Sequence, residues 1–241
     1  MLQKTRGIVF KVTDYGDNSV VVQIFTEKFG LQSYLINGVK KSKARISRNM
    51  LQPLHLLDLV VYHKNTGSIQ RIKELKNDPV LQTIPYDIVK SSIVLFLNEV
   101  LYKAIKQNAP DELLFNYIFH SLQWLDEQDS HIVNFHLVFL TSLTRFLGFF
   151  PDATHDTDAA YFDMKNGVFT KYKPESLQYM SPPHTQNFYQ LLHCKFETIG
   201  TLKISNEERR YLVTHLLEYY ALHIEGFGSI RSHEILEEVL S

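Results

Sequence analysis

Cysteine is nearly absent: Cys194 is the single one in 241 residues. That excludes a disulfide within the chain and any zinc cluster built from its cysteines alone, and it fits a reducing compartment. No glycine-rich phosphate loop and no Gly-x-Ser-x-Gly elbow occurs, so nucleotide hydrolysis and serine-hydrolase chemistry have no motif to rest on. Low-complexity tracts and clear internal repeats are missing. No apolar run with a cleavage site opens the chain, so no signal peptide is expected. The most apolar long segment, Ile132 to Phe150, is interrupted by Asn134, His136, Thr141, Thr144 and Arg145. A helix of that kind is expected at the centre of a bundle rather than in a membrane.

One absence is local. From Lys28 to Leu57 there is no Asp or Glu, and inside that span residues 38–48 carry Lys40, Lys41, Lys43, Arg45 and Arg48. The whole chain has a net charge of only −1, yet residues 1–80 hold 13 Lys+Arg against 6 Asp+Glu, and the remainder 12 against 20. A segment cleared of acids suits contact with an anion, most commonly a polymeric phosphate. A solvated connection between strands would look the same in sequence. Halves of opposite sign suggest two domains, the basic one facing nucleic acid and the acidic one facing protein.

Residues 1–78 read as five short strands. Thr5 to Val12 is the first, with Ile8, Phe10 and Val12 expected on one side. The turn cluster Asp14-Tyr15-Gly16-Asp17-Asn18 leads to Ser19–Thr26, and Thr26–Gly30 turns into Leu31–Asn37. Ser42 is placed to cap a short helix through about Met50, which would set Lys41, Arg45 and Arg48 on one face before Pro53 ends it. Leu54–His63 and Ser68–Leu75 follow, joined by an Asn65-Thr66-Gly67 hairpin turn. Five strands with a helix-bearing connection between the third and fourth predict a closed barrel of the OB type. Such barrels hold oligonucleotides on a strand face, with cations for the backbone and aromatic rings for the bases. Phe10 and Phe25 sit in apolar strand patterns and are expected in the core. Tyr15 and Tyr34 are the better candidates for stacking, and Arg6 adds to the basic total.

Asn77-Asp78-Pro79 marks an expected domain boundary, after which the period becomes helical. Residues 79–241 predict a helical domain: one helix from about Pro85, a second opened by Asp111 and Glu112, and the apolar one opened by Ser130. Further helices are expected over His184–Phe196 (Cys194 buried in it), from the Ser205/Glu208 capping box to Ile224, and from a Ser232 cap onward. Residues 152–180 interrupt this pattern as a hairpin insertion around Met164-Lys165-Asn166. That insertion carries Asp156, Asp158 and Asp163, which a metal-dependent hydrolase could use, but their spacing matches no ligand pattern. No metal, no cofactor and no catalytic group is expected. An RNA-binding OB module is the other alternative to DNA binding, with the 2′-hydroxyl as the discriminating group.

Several segments carry a family likeness. Thr5-Arg6-Gly7-Ile8-Val9-Phe10, Phe25-Thr26-Glu27-Lys28-Phe29-Gly30-Leu31, Gly38-Val39-Lys40-Lys41-Ser42-Lys43 and Leu51-Gln52-Pro53-Leu54 resemble the N-terminal barrel of the RecO family of DNA repair proteins. The likeness continues through Leu147-Gly148-Phe149-Phe150-Pro151 and Ile230-Arg231-Ser232-His233-Glu234-Ile235-Leu236, and so spans essentially the whole chain. Many family members carry four zinc-binding cysteines after the Leu-Gly-x-x-Pro segment. This sequence has none there and resembles the zinc-free branch. The resemblance implies an N-terminal OB barrel, a C-terminal helical domain and a non-enzymatic recombination mediator of the bacterial cytoplasm and nucleoid. It also implies binding of single- and double-stranded DNA, annealing of complementary strands, and work with RecR and single-stranded-DNA-binding protein in loading RecA. No membrane association is expected.

Overall fold

The computed structural model describes residues 1–41, 44–64, 69–153 and 160–241. The chain divides into two compact units, Met1–Glu127 and Gln128–Ser241.

The first unit is built on a closed five-stranded barrel: β1 (Leu2–Tyr15), β2 (Ser19–Thr26), β3 (Gly30–Asn37), β4 (Leu56–Tyr62) and β5 (Gln70–Asn77). The order around the barrel is β1-β2-β3-β5-β4, with β1 pairing back onto β4. The long β1 serves both neighbours, and β3 meets β5 in parallel through Tyr34 and Leu35. This is the OB arrangement that the five-strand pattern predicts. Val9, Val20, Val22, Ile24, Tyr34 and Ile36 are among the side chains that fill the barrel. The alternation on β1 is broken by a bulge between Val9 and Lys11. The extra residue resets the phase, so Val9 and Val12 turn into the barrel while Phe10 turns out and stacks on Phe25. Ile8, Phe10 and Val12 therefore do not share a side, contrary to the simple period. Phe10 and Phe25 are both buried, as expected, but on the outer surface of the barrel, where Phe25 meets Phe115.

The connection from β3 to β4 does not form the expected helix. Among its described residues the only helical piece is a short 3-10 turn over Arg48–Leu51, and Ala44–Ser47 are non-helical. A nine-residue helix is too short to stand on its own propensity. Here Val39, Ile46 and Leu51 are drawn into the barrel core instead, and that burial sets an irregular path. The predicted 65–67 turn lies outside the described residues.

Helices α1 (Ile88–Ala104) and α2 (Glu112–Glu127) complete the first unit. The last barrel strand ends at Asn77, but the compact unit extends to Glu127. Asp87 caps α1 by accepting from the amides of Val89 and Lys90. The Asp126 carboxylate near the end of α2 accepts from the backbone amides of Gln82, Thr83 and Ile84 at 2.7–2.9 Å, which ties the 80–87 segment to α2.

The second unit holds α3 (Phe135–Leu147), a small three-stranded sheet of β6 (Tyr161–Asp163), β7 (Val168–Thr170) and β8 (Tyr179–Met180), then α4 (His184–His193), α5 (Asn206–His223) and α6 (Ser232–Val239). α3 starts later than Ser130 because His131 adopts a left-handed φ of 61°, which a helix cannot include. Ser205 caps α5 by accepting from the Glu208 amide, but the expected capping box is only half made, because Glu208 Oε2 bonds His184 Nδ1 instead of reaching back to the cap. Ser232 is the first residue of α6 and not its cap. Cys194 lies just past α4 and is half-buried, not inside the helix. Among the described residues no helix is long and apolar enough to cross a membrane.

Candidate nucleic-acid interface

Of the cations in the β3–β4 connection, Lys40, Lys41, Arg45 and Arg48 are exposed, but the fold restores acids that the local sequence lacks. Asp14, at the end of β1, brings its carboxylate to two of them. Arg48 Nη1 donates to Asp14 Oδ1 at 2.5 Å, and Lys40 Nζ lies 3.3 Å from the same oxygen. Both contacts hold the Asp14 carboxyl below its ordinary range, Arg48 first and Lys40 second. Arg45 has a looser partner, Glu74 of β5 at 3.9 Å, and its side chain remains 77% exposed. Lys41 is exposed and makes no ion pair among the described residues. Lys43 lies outside the described residues. Solvent-exposed ion pairs of this kind are weak and salt-screened, so a phosphate can displace the carboxylates.

Tyr15 follows Asp14 directly in β1 and is 59% exposed, so its ring is open to solvent at the same end of the strand. Tyr34 is not. It is fully buried in the barrel, and burial pushes its phenol up. β3 alternates Tyr34 and Ile36 inward, so the stacking role expected for Tyr34 is excluded by its place in the core.

Arg6 is also committed elsewhere. Its Nε and Nη2 donate to the two carboxylate oxygens of Glu27 at 3.0 and 2.7 Å, and Nη2 donates to Asn116 Oδ1 at 2.8 Å. The guanidinium lies 4.7 Å from the Phe119 ring centroid and 5.3 Å from that of Phe115. This is a bidentate, ring-stacked arginine that joins β1 to α2. It is a joint of the fold and not a free phosphate contact.

The metal alternative loses its best-placed residue. Asp163 Oδ1 accepts from the amides of Lys165 and Asn166 at 3.0 and 3.2 Å, and Oδ2 accepts from Asn166 Nδ2 at 2.8 Å. The carboxylate is spent on closing the β6–β7 turn, an Asx-type use. Phe162 packs on Phe169, Phe188 and Tyr219 beneath it. Asp156 and Asp158 lie outside the described residues. Among the described residues no three His, Cys, Asp or Glu side chains group as a metal site.

Asp14 is the residue of this candidate site that sequence reading missed. It stood only as part of a turn cluster, and nothing local ties it to cations 26 and 34 positions away. The signal available was the OB topology, which places the β1–β2 turn beside the strand face used for ligands.

Comparison with known proteins agrees with this architecture. Residues 1–77 match the family model described as "Recombination protein O N terminal", and residues 85–232 match "Recombination protein O C terminal". The chain is 39% identical over 239 residues to a protein of Azobacteroides pseudotrichonymphae genomovar. CFP2 and 38% identical over 240 residues to one of Bacteroides fragilis. It is 35% identical over 241 residues to one of Flavobacterium psychrophilum. In each case 99% of both chains is covered, and each relative is named DNA repair protein RecO.

Proposed function

The chain belongs to the RecO family of DNA repair proteins, and from that premise we propose that it is a recombination mediator acting on single-stranded DNA. It binds single strands, anneals complementary ones and, with RecR, helps load RecA onto DNA coated with single-stranded-DNA-binding protein. The observation that carries this reading is the exposed cation group on the β3–β4 connection of the barrel, with Tyr15 exposed at the adjoining end of β1. Lys40, Lys41, Lys43, Arg45 and Arg48 neutralise phosphates and lower the repulsion between two strands brought together. Duplex DNA is held through the same phosphate contacts. Contacts to phosphate carry no sequence information, so in this reading the connection supplies affinity and salt dependence and not sequence choice. The action is physical, with no bond made or broken.

The test is annealing of complementary strands coated with single-stranded-DNA-binding protein, with and without RecR. The reading requires that this protein speeds annealing of the coated strands and that RecR is needed for RecA loading. Annealing no faster than the protein-free control removes it.

A further inference from the structure

The second unit buries a cation with neutral partners only. Arg209, in the first turn of α5, is 7% exposed. Its Nε donates to Asn134 Oδ1 at 3.0 Å, its Nη1 to Asn206 Oδ1 at 2.7 Å and its Nη2 to the Ile204 carbonyl at 3.4 Å. A guanidinium has five N–H donors, and these bonds use three of them. The neighbouring acid in sequence, Glu208, gives Oε2 to His184. Burial pushes the Arg209 guanidinium down from its ordinary value, yet a guanidinium keeps its proton at any ordinary pH. Buried charges are as a rule paired, because desolvation is otherwise left uncompensated.

Arg209 lines a small cavity between α3, α5 and α6, together with His136, Asn206, Val213, His233 and Leu236. The centre of a water-sized sphere can occupy about 10 Å³ of it, which is room for about one water-sized particle. Val213 and Leu236 are buried and apolar, so a charge placed there is poorly screened by solvent. The Nδ1 atom of His233, in α6, is buried and has no hydrogen-bond partner among the described residues.

The charge of this lining is positive on balance. It holds the guanidiniums of Arg209 and Arg210 and one carboxylate, that of Glu237. Glu237 Oε2 lies 4.0 Å from Arg210 Nε, which leaves the Arg209 charge without a carboxylate of its own. His136 adds no further cation, because burial, then the nearby Arg209 charge, push its imidazole down to about 3. Asn206 gives its side-chain oxygen to Arg209, so what it has left to offer a ligand is its amide N–H.

We propose that this cavity binds one monatomic monovalent anion of the halide class, chloride in ordinary salt, between Arg209 of α5 and His233 of α6. The ion supplies the charge that Arg209 lacks. It accepts from guanidinium N–H groups not spent on Asn134, Asn206 and Ile204, and from His233 in the tautomer that protonates Nδ1. A water in its place satisfies donors but leaves the buried charge uncompensated. The space, about one water-sized particle, is too small for a polyatomic anion such as phosphate. Held this way, the ion ties α6 to α5, and chloride stabilises the helical unit by binding the folded state alone. The proposal is independent of the DNA reading given above.

The test has two arms, both on the full chain. Crystals grown in bromide are measured for anomalous scattering, and urea unfolding is followed as chloride replaces gluconate at constant ionic strength. The unfolding arm is repeated with Arg209→Met, which keeps an unbranched stem without the charge. The proposal requires an anomalous peak in contact with Arg209 and His233. It also requires a saturable stabilisation: at about ten times its dissociation constant, chloride lowers the unfolding equilibrium constant about tenfold. The variant should lose that response. If Arg209→Met does not fold, the bromide peak and the saturable titration of the parent decide together. A cavity without an anomalous peak, a chloride response that never saturates, or one that survives in the variant overturns the proposal. A bromide peak with no stabilisation in solution marks an adventitious ion only and overturns it as well.

Discussion

The Asp14 carboxylate accepts a hydrogen bond from Arg48 Nη1 at 2.5 Å, joining the end of β1 to the β3–β4 connection. The same oxygen holds Lys40 at 3.3 Å. Under the proposed function a carboxylate in that position competes with phosphate for both cations. Asp14→Asn is expected to tighten single-strand binding several-fold and to steepen its salt dependence, read by fluorescence anisotropy over a salt series. Unchanged or weaker binding would show that the pair does not compete with DNA. The sign with pH follows from the depressed Asp14 carboxyl. The clamp is fully formed above the ordinary carboxylate range and opens only as pH falls through the lowered value, so near neutral pH it is closed.

Tyr34 and Tyr15 separate core from surface. The Tyr34 hydroxyl is buried without a hydrogen-bond partner among the described residues, which costs about 1–3 kcal/mol relative to an apolar replacement of the same shape. Tyr34→Phe should leave DNA binding unchanged and raise the denaturant midpoint or leave it unaltered. Tyr15→Ala should leave the midpoint alone and weaken single-strand binding by about 1 kcal/mol. Equilibrium unfolding and DNA titration on both variants give the comparison.

Arg6→Ala should act on stability and not on DNA. Its removal leaves Glu27 and Asn116 without their partner and uncovers the Phe115 and Phe119 rings. A loss of about 2–3 kcal/mol is expected, with single-strand affinity per folded molecule retained. Selective loss of affinity at full stability would contradict the role assigned to Arg6.

Asp126→Ala removes a carboxylate that accepts from three backbone amides and from Thr83 Oγ1. Burial raises this carboxyl, but the amides of Ile84, Gln82 and Thr83 outweigh it, and the net shift is downward. The variant should lose about 2–3 kcal/mol at neutral pH. Because the folded-state value is depressed, the contribution is present above the unfolded carboxylate range and is lost as pH falls through the lowered value. The gap between variant and parent in urea unfolding should therefore narrow in acid.

Much of the barrel was legible because its signals are local. Ser19–Thr26 is a Val- and Ile-rich run bounded by two turn clusters, and it forms a strand over those same residues. What failed were features set by distant partners. The bulge at Phe10 needs the β2 register to be seen. The path of residues 44–51 follows from Ile46 and Leu51 entering the barrel, which overrides a weak helix pattern. Tyr34 was readable in principle, since it is two residues from the inward Ile36, but a polar ring in a basic neighbourhood suggested the surface. The cations of the β3–β4 connection were plain in sequence, whereas their neutralisation by Asp14 and Glu74 exists only in the fold.

The central claim is that the β3–β4 connection binds single-stranded DNA through phosphate. The most direct measurement is the affinity of the unaltered protein for a single strand across a range of salt. It is repeated with Lys40, Lys41, Lys43, Arg45 and Arg48 replaced by Ala. Five contacts at roughly 0.7 each predict a slope of log K against log salt near −3.5 for the connection's share. The replaced protein should lose that share and bind all sequences more weakly to a similar degree. A flat salt response, or affinity retained after replacement, would contradict the account.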